Sequence, residues 1–191
     1  MCKTINYVIN NIKKISNKIK PYLYLTNMIL FILKIILFLI TKSLFFVISS
    51  LYNLCIGLAK LKVYHNNYRK VGLFLVLASI SFTLYSIWTI LNNRVVTYDM
   101  YTSLLIATVT FFDIGIAIYK IIKERKKQNL QDKVIKLINL STALISLELT
   151  QSAILSFTMK GIDNSLYNGI LGVIVGTSTI LIGIFIMRRT N

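Results

Sequence analysis

Two carboxylates in this chain stand where carboxylates are expensive. Glu148 interrupts the apolar stretch 137–159, and Asp113 interrupts the stretch 101–122. Each stretch is close to the roughly 20 residues that cross about 30 Å of hydrocarbon. An ionised side chain in mid-span costs on the order of 3 kcal/mol by insertion scales, so it needs a partner or a purpose. Its chemistry is narrow: hold a proton, hold a cation, or pair with a fixed cationic side chain. Glu148 lies about 18 Å along a helix from Lys136, near the midplane, with Ser141, Gln151 and Ser152 on its face. Asp113 lies about 10 Å before Lys120, and Ser103 and Thr110 share the face of both. Ser79, Thr83 and Ser86 make a third polar stripe, and such stripes should face one another and not lipid. The candidate ion or proton site is therefore Glu148, Asp113 and Gln151. Lys34, also inside an apolar stretch and at comparable depth, is the candidate buried ion-pair partner. Two readings stay open. A Lys34–Glu148 pair fixes how the helices dock, or Glu148 itself takes up a proton or cation.

The elements that hold these residues follow from hydropathy and charge. The chain has 191 residues, 55% of them hydrophobic, and a single proline, Pro21; the mean hydropathy is +0.69. A soluble domain of this length is not so apolar. Four spans are clear at 71–91, 101–122, 137–159 and 165–187. Two more, 22–40 and 43–61, turn at Thr41 and Lys42; the competing arrangement is one long in-plane helix. Lys60, Lys62, Arg69 and Lys70 precede the span at 71–91. Seven Lys and Arg residues run from Lys120 to Lys136, those two included, and Arg188 and Arg189 end the last span. The remaining connections are lean, with Arg94 and Asp99, and Lys160 and Asp163. By the positive-inside rule the rich connections and both termini are cytoplasmic. Ile5, Val8, Ile12, Ile15 and Ile19 recur at helical spacing against Lys13, Lys14 and Lys18. This predicts a basic amphipathic helix over 1–20 on the anionic inner leaflet. The first apolar run lacks a small-residue cleavage site and reads as a signal anchor.

The spans also look repeated. The run Leu51-Tyr52-Asn53-Leu54-Cys55-Ile56-Gly57-Leu58-Ala59-Lys60 aligns with Phe111-Phe112-Asp113-Ile114-Gly115-Ile116-Ala117-Ile118-Tyr119-Lys120. The run Ile182-Gly183-Ile184-Phe185-Ile186-Met187-Arg188 matches the later part of it. The repeat unit is a hairpin with a basic exit, which gives hairpins at 21–62, 70–122 and 134–189. The expected fold is thus an all-α polytopic transmembrane bundle, six spans in three hairpin repeats. Gly169, Gly172, Gly176 and Gly183 lie near one face of the last span, where small residues allow close helix approach. That face predicts either an internal contact or a homodimer seam. Trp88, Tyr98, Tyr101 and Tyr167 are placed at the outer interface as an aromatic belt.

The second half resembles a family of multi-pass membrane proteins from low-GC Gram-positive bacteria for which no activity is known. The carrying residues are Tyr68-Arg69-Lys70-Val71-Gly72, Ala143-Leu144-Ile145-Ser146-Leu147 and Ala153-Ile154-Leu155. The resemblance covers Ser43 to the C-terminus and implies topology alone, in the plasma membrane of a bacterium. Mitochondrial carriers also have three two-helix repeats, but their Pro-x-Asp/Glu motif is missing here. Substrate-capturing components of vitamin transporters share the span number and size without a shared motif.

Several function classes are disfavoured. A net charge of +16 is compatible with nucleic acid, but these cations sit between apolar segments, as juxtamembrane cations do. Cys2 and Cys55 show no disulfide or metal-ligand spacing, and His65 is the sole histidine. No metal site, cofactor or enzyme is expected, since no Ser/His or Cys/His arrangement exists. Asp113 and Glu148 differ in depth by several Å, too much for a paired aspartyl centre. Two function classes remain. One is a small transporter or channel-like protein with an intramembrane carboxylate site. The other is a non-transporting accessory, immunity or sensory subunit that binds a membrane protein, or a second copy of itself, through helix contacts.

Overall fold

Apolar stretches of this length can satisfy their backbone in lipid only as helices. The computed structural model describes residues 22–93, 98–123, 129–158 and 164–188. They form α1 (Tyr22–Thr41), α2 (Leu44–Tyr64), α3 (Tyr68–Leu91), α4 (Met100–Lys123), α5 (Leu130–Thr158) and α6 (Ser165–Arg188). Every element among the described residues is helical, and the protein is an all-α bundle. Helices α2 to α6 are each long and apolar enough to cross a membrane. This is a multi-pass membrane protein. Helix α1 has a shorter apolar core, Asn27–Ile40, although its 20 residues span about 30 Å. The basic helix expected over 1–20 lies outside the described residues.

Sharp turns separate the helices. Lys42, Asn66 and Asn93 take left-handed backbone angles, with φ of 56°, 54° and 46°. Segments α1 and α2 are accordingly two antiparallel helices joined by Lys42 and Ser43, not one continuous helix. Asn67 caps α3 by accepting from the Lys70 amide at 3.4 Å. Asp99 caps α4: its carboxylate accepts from the Thr102 amide at 3.3 Å and from the Thr102 hydroxyl. These bonds, with that hydroxyl's first, hold the exposed Asp99 carboxyl below its ordinary value of 3.8.

Packing does not simply follow chain order. Helix α3 makes its most extensive contact with α6, α4 with α5, and α1 with α2. The α3–α6 contact is a glycine seam. A Cβ on Gly176 would stand 2.1 Å from Thr83 Oγ1, and one on Gly172 2.2 Å from Ser86 Oγ. A Cβ on Gly183 would stand 2.7 Å from Val76, and one on Gly72 2.6 Å from the Gly183 carbonyl. The glycine face is therefore an internal contact. Helix α2 is central: 56% of its apolar window is buried, against 28% for α4. The aligned repeats thus have unlike surroundings. Tyr52 is 1% exposed, whereas its counterpart Phe112 is 70% exposed. Between α1 and α4 an apolar cleft of about 810 Å³, walled by Ile29, Leu33, Phe111 and Phe112, faces the lipid side.

Candidate functional site

The polar stripes do turn inward. Ser103, Thr110 and Asp113 on α4 are buried, as are Ser141, Glu148 and Ser152 on α5 and Ser79 and Ser86 on α3. Most of their hydroxyls give their proton to a carbonyl one turn back in their own helix. Ser79 donates to Leu75 at 2.7 Å, Ser86 to Phe82 at 3.0 Å and Ser141 to Leu137 at 3.1 Å. This local bonding lets a hydroxyl sit in an apolar bundle without a partner on another helix. The inward stripes surround two small chambers, one toward each end of the bundle.

The first chamber lies toward the basic connections. Asn27, Lys60, Asp113, Asn139 and Thr142 line it, with about 20 Å³ open to the centre of a water, room for one molecule. Asp113 is 4% exposed and accepts from Ser146 Oγ at 2.5 Å through Oδ2. Lys60 was expected at the membrane surface, yet it is 2% exposed and donates to Asn27 Oδ1 at 2.8 Å. Its stem and head fold inward because α1 covers it. The carboxylate here shares its chamber with a cation and holds a hydroxyl donor.

The second chamber lies toward the lean connections. Phe45, Tyr85, Ser86, Thr89, Tyr98, Glu148, Ser152, Asn168 and Gly169 line it, again with about 20 Å³ open to a water centre. Glu148 is 3% exposed. Its Oε1 accepts from Ser152 Oγ at 3.2 Å, while Oε2 has no hydrogen-bond partner. Asn168 Oδ1, 8% exposed as a residue, also lacks one. Tyr98 covers the chamber and is not part of an exposed belt, being 7% exposed. Its amide donates to Ser156 Oγ at 2.5 Å and its hydroxyl to Ser43 Oγ at 3.4 Å. Burial pushes the Tyr98 hydroxyl well above the ordinary tyrosine value, and the Ser43 contact offsets part of that. Trp88, Tyr101 and Tyr167 remain on the outside.

Between the chambers stands Tyr52, whose hydroxyl lies among Ser79, Ser141 and Thr179 without meeting hydrogen-bond geometry to any of them. Lys34 is 2% exposed. It lies in the field of both carboxylates, Asp113 first and Glu148 second. It does not satisfy Glu148 Oε2, which has no partner. Gln151 is half-buried and does not line the Glu148 chamber. The Lys120 side chain lies outside the described residues. Among the described residues no group of three His, Cys, Asp or Glu could hold a metal ion.

Sequence reasoning found Glu148, Asp113, Lys34 and Ser152 but passed over Asn139, Asn168 and Ser146. These are neutral side chains inside otherwise apolar helices, and an intramembrane amide is itself a signal of a buried contact. In comparisons with known proteins, no family model, no curated protein and no solved structure matches this chain.

Proposed function

We propose that this protein is a small transporter or channel-like protein that passes a proton or small cation through the bundle at Glu148. The observation behind the reading is a membrane-buried carboxylate in the wall of a water-sized chamber, with one of its oxygens unpartnered. A purely architectural charge is normally given a complete set of partners, because an incomplete one is destabilising in a low dielectric. Asp113, with Ser146 and with Lys60 in its chamber, fits the architectural role better. The polar residues between the two chambers, Tyr52 among them, mark the route.

The same proposal puts both termini in the cytoplasm, on the charge asymmetry of the connections, and the protein in a bacterial plasma membrane, on the resemblance of its second half. It is not an enzyme in this reading. The accessory-subunit alternative drew on the glycine face, which α3 covers within the chain. That removes the glycine face as the alternative's basis, and leaves it the apolar cleft between α1 and α4.

The test is ion and proton flux into proteoliposomes for wild type beside Glu148→Gln and Lys34→Met. Flux in wild type that falls at least about tenfold in Glu148→Gln, a loss near 1.4 kcal/mol of barrier, supports the reading. Absence of flux in folded wild-type protein, or flux indifferent to the glutamine, overturns it.

A further inference from the structure

Hydroxyls inside a helix commonly give their proton to a carbonyl one turn back. In the wall of the Glu148 chamber, Ser86 and Thr89 do so, to Phe82 and Tyr85, each at 3.0 Å. Ser152, in the same wall, does not: its hydroxyl donates to Glu148 Oε1 at 3.2 Å. The exception recurs along α5. Ser141, Thr142, Thr150 and Thr158 donate to carbonyls of their own helix, whereas Ser146 and Ser152 donate to Asp113 and Glu148. Ser146 is not a wall residue of the Asp113 chamber. Ser152 therefore stands alone in joining a carboxylate to a space with room for one water.

Few ions can use that path. A metal cation gives up its hydration shell only where protein oxygens replace it. Glu148 Oε2 and Asn168 Oδ1, which hold no hydrogen bond, are wholly buried and offer an ion in the chamber no surface. Lys34 already stands in the field of Glu148, so a metal ion would be a second cation beside one carboxylate. Tyr52, between the chambers, is fully buried, and any ion with volume would have to displace it. A proton meets none of these obstacles. It needs only a hydroxyl that accepts on one side and donates on the other, and Lys34 can give up a proton as Glu148 takes one. Asp113 on α4 acts on the same Lys34. The other titratable groups around Glu148 are Tyr85 on α3 and Tyr98 ahead of α4. Phe45 from α2 and Asn168 and Gly169 from α6 bring no charge.

We propose that the ion handled at Glu148 is a proton and that the Ser152 hydroxyl relays it. The Ser152 Oγ–H bond breaks as its proton passes to Glu148 Oε1, and Ser152 Oγ takes a replacement from a protonated water in the chamber. The carboxylate becomes a neutral carboxyl, the serine is unchanged, and one proton has left the chamber. The proposal names the substrate of the transport reading and rests on that reading.

The experiment is flux into proteoliposomes of the purified full chain, read by an internal pH dye, with sodium and rubidium tracers followed in parallel. Wild type, Glu148→Gln, Ser152→Ala and Ser152→Thr are compared in NaCl, KCl and choline chloride at matched ionic strength. Wild-type proton flux should be the same in all three salts, with tracer uptake no higher than in protein-free liposomes. Proton flux should fall at least about tenfold in Glu148→Gln and in Ser152→Ala. Ser152→Thr, which keeps a hydroxyl, should recover part of the loss seen in Ser152→Ala. Wild type alone decides between proton and metal, so a variant that fails to fold leaves that test intact. Tracer uptake that Glu148→Gln abolishes, or proton flux that requires sodium or potassium, keeps transport and overturns the proton. Proton flux kept in full by folded Ser152→Ala overturns the relay. Absence of every flux in folded wild type overturns the transport reading and this proposal with it.

Discussion

Asp113 and Glu148 carry the same functional group in the same bundle, but their surroundings differ in kind. Asp113 holds the Ser146 hydroxyl, shares its chamber with Lys60 and has the larger influence on Lys34. Glu148 holds one long hydrogen bond from a residue one turn along its own helix and leaves an oxygen unpartnered. The difference shows how a membrane bundle can separate architecture from function. A carboxylate with partners on other helices ties those helices together, whereas one that faces a chamber is available to a mobile ion.

The largest break in this contrast should come from Asp113→Leu. It removes the carboxylate with the larger influence on the buried Lys34, and losing one member of a buried charge cluster costs about 3–5 kcal/mol. Denaturation in detergent should show that loss directly or as failure to accumulate folded protein. Wild-type stability in this variant would mean the two chambers are alike. A finer test is a double-mutant cycle on Lys34→Met. Its coupling to Asp113→Asn should be about 1–2 kcal/mol and exceed its coupling to Glu148→Gln; equal couplings would make Lys34 a shared partner. Glu148→Gln alone should be milder still, shifting stability by less than about 1 kcal/mol, because Oε2 has no protein hydrogen bond to lose. A large destabilisation would move Glu148 into the architectural class.

The smallest effect should come from Asp99, outside both chambers. Its folded value is depressed, so its contribution is present above the ordinary aspartate value of 3.8 and is lost as pH falls through the lower folded value. Acid titration of the unfolding midpoint should therefore show a shallower fall in this range for Asp99→Asn than for wild type. An unchanged acid limb would show that the α4 cap does not contribute. As a fully exposed group it leaves the chamber contrast untouched, which makes it the control.

Much of this was legible in the residues. Helix positions came from hydropathy, and the inward stripes came from the spacing of Ser, Thr, Asp and Glu. The turn after α1 was placed at Thr41 and Lys42; the structure has it at Lys42 and Ser43. Other features were not legible. Lys60 reads as a juxtamembrane cation from its neighbours Lys62 and Arg69, and only the position of Asn27 on α1 shows it as buried. Tyr98 reads as an interfacial aromatic, and only the end of α5 shows that Ser156 takes its amide. The repeat in α2 and α4 predicts like environments, but a central and a peripheral helix give the same sequence pattern different neighbours.

The sequence by itself determined that this chain is a helical membrane protein and that two carboxylates are buried in it. Hydrocarbon tolerates no unpaired backbone and few charges, so composition and spacing leave little freedom at that level. Which helices pair was decided only in three dimensions. Lipid tails are as apolar as leucine, so hydropathy cannot rank one helix partner over another, and close packing of small residues does. The glycines of α6 chose α3, and that choice placed Ser86, Glu148 and Asn168 around one chamber.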